Sequence, residues 1–117
     1  MSIDLYGIKS CNNVRFAIKW LKSNKIDFNF IDLKLTKLHE DEITNWLKKI
    51  TWSQLLNKNS LTWRALKEEE KEKIIDNESA KKLIIKHPLV MKRPIIKFEK
   101  DILVGFSEKK ITSLCKK

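Results

Sequence analysis

Glycine and proline are scarce in this chain of 117 residues, which holds two of each: Gly7, Gly105, Pro88 and Pro94. No flexible linker, low-complexity tract or internal repeat can be drawn from such a composition, and a single domain over 1–117 is expected. Cysteine is as rare. Cys11 and Cys115 stand at opposite ends with no metal-like spacing, which excludes a disulfide framework and predicts no metal site. Long apolar runs are missing, since none approaches the roughly 18 residues that span a bilayer. The opening MSIDLYG lacks the basic-then-apolar layout of a signal peptide. A soluble, cytoplasmic protein without a membrane partner is expected.

Arginine is the last scarcity. The net charge is +10, yet Arg15, Arg64 and Arg93 are the only arginines among 25 basic residues. The lysines are spread along the chain beside abundant Ile and Asn, and no basic cluster is interleaved with aromatics. That pattern reads as drift in an AT-rich genome and predicts no direct nucleic-acid contact.

What is present is organised around YGIKSCNNVRFAIKWL, Tyr6 to Leu21. Ile3, Leu5, Tyr6 and Ile8 give a short buried-strand signal. Val14, Ala17, Ile18 and Leu21 then recur at helical spacing, with Asn12 or Asn13 as the expected N-cap. Cys11 therefore falls at a helix N-terminus, where unpaired N–H groups and the positive end of the helix dipole stabilise a thiolate.

DFNFIDL, 27–33, carries a period-2 strand signal and completes a strand–helix–strand unit of the size of a parallel crossover. Ile43, Trp46, Leu47 and Ile50 predict a helix over 38–50, with acids in its first turn. TWSQLLNKNSLTWRAL reads as two helical turns around a loop, and KEEEKEKII as an exposed helix with i,i+4 pairing. Asn77 or Ser79 is expected to cap a helix with Ala80, Leu83, Ile84 and His87 on one side, stopped by Pro88. A hairpin follows, with Ile95, Ile96 and Phe98 before a turn at 99–101 and the run 102–106 after it. A last helix starts at Ser107 and carries Ile111, Leu114 and Cys115 along one face, where a cysteine acts as a small hydrophobe. The order βαβ, helical middle, ββα predicts a small mixed sheet with helices on its faces.

LYGIKSC, KRPII at 92–96 and LVGFSE at 103–108, with LLNKN and TWR between them, together resemble the arsenate reductase-like family of ArsC, Spx and YffB proteins, from about Ser2 to the C-terminus. The resemblance implies an α/β thioredoxin-like fold with a helical insertion at about 38–87. It also implies a nucleophile at Cys11, and Arg93 beside Pro94 whose cis peptide bond turns the arginine toward the thiol loop. Asn12, Asn13, Arg15 and Pro94 are then the expected substrate-binding residues. The positions matching further oxyanion-holding arginines of arsenate reductases are Asn57 and Gly105, which puts arsenate reduction in doubt. The second cysteine of the Spx CxxC switch is replaced by Val14, so no disulfide can form there. The branch most resembled is the YffB type, which implies a monomeric, cytoplasmic thiol oxidoreductase without a bound cofactor. Glutathione is then the co-substrate, and a small oxidised or disulfide compound the substrate. The competing expectations are a regulator that binds the RNA polymerase alpha subunit and a true arsenate reductase.

Overall fold

A computed structural model describes residues 3–115, with side chains as far as Ser113. The chain divides into two compact units, Met1–Leu33 with Arg93–Lys117, and Lys34–Lys92.

The first unit is built on a four-stranded sheet of β1 (Ile3–Gly7), β2 (Asn29–Asp32), β3 (Ile95–Phe98) and β4 (Asp101–Val104), in the order β2-β1-β3-β4. β1 runs parallel to β2, with Asp4 opposite Asn29 and Gly7 opposite Asp32. It runs antiparallel to β3, from Ile3 opposite Phe98 to Tyr6 opposite Ile95, and β4 closes a hairpin on β3. The mixed pairing follows from the connections: a helix carries the chain between the parallel strands, and a two-residue turn suffices for the antiparallel pair. That turn is Glu99–Lys100, one residue shorter than expected, because Asp101 already pairs with Phe98.

The helix between the first two strands, α1 (Asn12–Ser23), buries Val14, Ala17 and Leu21 completely. These pack with Ile3 and Leu5 of β1, Ile96 and Phe98 of β3, and Ile111 of the last helix, α7 (Glu108–Cys115). Full burial of one such Leu or Ile is worth about 1.5–3 kcal/mol, so this cluster anchors the unit. Ser107 starts α7 as expected, accepting from Lys110 N–H through its hydroxyl at 3.4 Å. The Cys115 side chain, expected in the core, lies outside the described residues.

The second unit is helical: α2 (Glu40–Leu47), α3 (Trp52–Leu55), α4 (Leu61–Arg64), α5 (Glu68–Glu72), α6 (Asn77–Lys86) and a 3-10 turn at Pro88–Val90. Segments this short form few internal hydrogen bonds for the residues they fix, and side chains supply the rest. Glu42 accepts from His39 N–H at 3.1 Å at the head of α2. Thr51 and Gln54 cap α3 reciprocally, and the Ser60 hydroxyl accepts from Trp63 N–H at 3.1 Å. α6 is capped by Asp76 rather than by Asn77 or Ser79. The Asp76 carboxylate accepts from Ser79 N–H at 2.9 Å while the Ser79 hydroxyl accepts from Asp76 N–H, because the extended backbone needed at a cap is adopted one residue earlier. Pro88 ends the helix as expected, by holding His87 before it outside the helical region at φ −134°. On α5 the observed pair is i,i+3, Lys71 to Glu68 at 3.3 Å. Ile43, Trp46, Leu55, Leu56, Ile84, Val90 and Met91 are buried in this unit. No helix among the described residues is long and apolar enough to cross a membrane.

Candidate functional site

Two structural facts place Cys11. β1 ends at Gly7, and the chain turns within Ile8–Ser10 before α1 begins, with Cys11 N–H donating to the Ile8 carbonyl at 3.2 Å. Gly7 permits that sharp approach: a Cβ there would lie 2.6 Å from Cγ2 of Val14 and 3.1 Å from Cγ1, closer than carbon atoms tolerate. The first turn of α1 can therefore sit directly on the end of the strand.

Cys11 is itself the N-cap of α1, at φ −83° and ψ 127°, its carbonyl accepting from Arg15 N–H at 3.0 Å. The expected cap at Asn12 or Asn13 is corrected: both are already helical, because the chain leaves the extended region at the cysteine. The thiol is half-buried and makes no capping hydrogen bond, and the first turn holds no acidic residue. An anionic sulfur at this point meets helix N–H groups and no opposing carboxylate on the helix.

The sheet register brings the second part of the site alongside. Tyr6 lies opposite Ile95, so Arg93–Pro94, just before β3, stand at the same end of the sheet as Gly7 and the loop into Cys11. The Arg93–Pro94 peptide bond is cis, Pro94 is buried and Arg93 half-buried. Val104 also lies opposite Ile95, which carries Gly105 to that end, and Gly105 N–H donates to the Pro94 carbonyl at 2.8 Å.

Of the expected binding residues, Asn12, Asn13 and Arg15 are exposed on the first turn of α1, and one guanidinium nitrogen of Arg15 donates to the Asn12 side-chain carbonyl at 2.6 Å. That tether holds the guanidinium at Asn12, the residue that follows the cysteine. Gly105, standing where an arginine would hold an oxyanion, has φ +81° and open space around the direction a side chain would take. Asn57 is committed to its own loop, its side-chain carbonyl accepting from Asn59 N–H at 3.0 Å and its N–H donating to the Val90 carbonyl at 2.8 Å. Val14, at the third position after Cys11, is fully buried and faces Gly7. Among the described residues no group of three or more His, Cys, Asp or Glu could hold a metal ion.

Sequence reasoning marks Gly7 only as one of two glycines open to act as a hinge, and its packing role shows only once α1 lies on β1. It overlooked Phe16, an aromatic off the buried stripe that is 56% exposed.

Half-buried cysteine at a helix cap and cis-proline strand at one end of a βαβ–ββα sheet define a thioredoxin-like α/β protein. The model of the ArsC family matches residues 6–114, and the chain belongs to that family. It is 36% identical over 107 residues to an uncharacterized protein of Haemophilus influenzae, covering 92% of this chain and 93% of the relative. It is 30% identical to the global transcriptional regulator Spx 2 of Bacillus anthracis, over 92% of this chain and 82% of that one. A solved YffB protein superposes with a TM-score of 0.90 at 30% identity, covering 95% of this chain and 96% of its own.

Proposed function

We propose that this ArsC-family protein is a cytoplasmic, glutathione-dependent thiol oxidoreductase with one nucleophilic cysteine. The observation that carries the reading is Cys11 as the uncapped N-cap of α1, with a fully buried valine where a resolving cysteine would stand. The Cys11 thiolate attacks one sulfur of a disulfide substrate. The S–S bond breaks, the leaving thiolate takes the electron pair and a proton, and the other half stays on Cys11 as a mixed disulfide. A glutathione thiolate attacks that mixed disulfide and a second removes glutathione from the cysteine. One substrate disulfide is thus reduced to two thiols while two glutathiones become one disulfide. Arg93 and the tethered Arg15 supply positive charge to the anionic sulfur, and the backbone at Pro94, Asn12 and Asn13 lines the approach.

Arsenate is the poorer substrate in this reading. Each preorganised donor lost from an oxyanion site typically costs about 10²–10³ in rate, and the sequence carries no arginine at Asn57 or Gly105, the two positions that match further oxyanion-holding arginines of arsenate reductases. Glutathione-coupled turnover of the disulfide of mercaptoethanol and of arsenate decides the matter. Disulfide turnover that vanishes in Cys11→Ser is expected, and robust arsenate turnover would overturn the substrate assignment.

The likeness to a global transcriptional regulator supports a second reading, a regulatory protein that binds RNA polymerase through its alpha subunit. Stoichiometric capture of that subunit, undiminished by Cys11→Ser, combined with no disulfide turnover, would favour it.

A further inference from the structure

We infer that the outward face of α1 selects the substrate of Cys11, and that this substrate is an acidic segment of a protein chain. The inference rests on the reading of Cys11 as a thiol nucleophile. α1 reads NNVRFAIKWLKS and contains no acidic residue. Asn12, Arg15, Phe16, Lys19 and Lys22 are all exposed, and their spacing of three and four residues aligns them on one side of the helix that begins at the cysteine.

An isolated exposed aromatic is ordinary on a protein surface. Phe16 differs in its company: one cation precedes it and two follow, and none of Arg15, Lys19 and Lys22 has an acidic partner among the described residues. Like charges at Arg15 and Lys19, four apart, destabilise a helix by about 0.2–0.5 kcal/mol. A lysine face elsewhere in the molecule is relieved by neighbouring acids, as Lys71 is by Glu68 and Lys81 by Glu78. On α1 the relief has to come from outside the helix. Carboxylates of a docked segment supply it, the fixed Arg15 guanidinium orienting one of them, and Phe16 offers the apolar anchor that a mobile lysine lacks.

The test uses two short peptides, identical except that the residues flanking one cysteine are Glu in the first and Lys in the second, each loaded as a mixed disulfide with thionitrobenzoate. Cys11 attacks the peptide sulfur, the S–S bond breaks, and thionitrobenzoate leaves as a coloured thiolate, so the second-order rate is read directly. At low ionic strength the acidic peptide should react about tenfold or more faster than the basic one, and the advantage should shrink as salt rises. Lys19→Glu with Lys22→Glu should reverse the order, and Phe16→Ser should slow the acidic peptide. The neutral disulfide of mercaptoethanol should react at an unchanged rate with every variant, because none of the three side chains belongs to the thiol site. Equal rates for the two peptides would overturn the inference while leaving the thiol chemistry in place. Failure of the mercaptoethanol disulfide to react at all would overturn that chemistry, and the inference with it.

Discussion

The two units of this chain are held by different means. In the sheet unit, long-range ladders and one cluster of buried Ile, Leu, Val, Ala and Phe side chains join residues from both ends of the sequence. In the helical unit the pieces are as short as four residues, and a polar side chain heads most of them: Glu42, Thr51 with Gln54, Ser60, and Asp76 with Ser79. One unit depends on shape and the other on local hydrogen bonds. The cysteine sits in the shape-dependent unit, where a fixed backbone can hold a thiol and a proline strand in register.

The sharpest way to break that contrast is Gly7→Ala. The new methyl would meet Val14 at 2.6 Å, and Val14 is fully buried in the packed cluster, so neither side can yield freely. Overpacking of this kind typically costs about 1–3 kcal/mol, read as a lowered urea midpoint. Adding Val14→Ala removes the colliding methyls, so the double variant should lose less stability than the two single changes summed. Simple additivity would show that the approach of α1 to β1 is not what Gly7 serves.

The same contrast explains what could be read from the sequence. The buried stripe Val14, Ala17, Leu21 and the short apolar run that marks β1 are local patterns, and they located α1 and the first strand correctly. The hairpin was legible too, from two apolar runs around Glu99–Lys100. Caps were not. Asn12, Asn13, Asn77 and Ser79 all have the chemistry of an N-cap, and which residue leaves the extended region first is set by how the preceding loop is packed. Cys11 was legible as a thiol at a helix head, but its company was not. Tyr6 opposite Ile95 brings Arg93–Pro94 to the cysteine's end of the sheet across most of the chain length, and no local pattern announces such a pairing. Resemblance to the ArsC family supplied it.

In the helical unit, Ser60→Ala should cost about 0.5–2 kcal/mol, because the Ser60 hydroxyl accepts from Trp63 N–H at 3.1 Å in a nearly buried position. Asp76 gives the same dependence a pH signature. Its carboxyl is held below the usual range, first by the hydrogen bond from Ser79 N–H and then by that residue's hydroxyl. A group whose folded value is depressed contributes fully above its unfolded value, about 3.9 for Asp. The contribution fades as pH falls through that value toward the folded one. Asp76→Asn keeps an acceptor at the cap but does not titrate, so the stability gap between wild type and variant should be larger near about pH 7 than near about pH 3. A gap that stays constant would mean that the carboxylate charge adds nothing to the cap.

The smallest effect returns to the scarcity of glycine. Lys25 and Glu99, both in the sheet unit, occupy left-handed backbone at φ 57° and 52°. Lys25 follows the C-cap of α1, where its N–H donates to the Lys22 carbonyl and Ile26 N–H reaches the Leu21 carbonyl at 2.9 Å, a helix end that glycine usually fills. Glu99 opens the β3–β4 turn. For a residue with a Cβ the left-handed region costs about 1–2 kcal/mol, and glycine's extra freedom in the unfolded chain returns about 0.5–1 kcal/mol of that. Lys25→Gly and Glu99→Gly should therefore each raise stability by at most about 1.5 kcal/mol. Because the two sites share no hydrogen bond or packing cluster, their gains should add. A loss of stability in Lys25→Gly would show that the lysine stem contributes more to that helix end than its backbone strain removes.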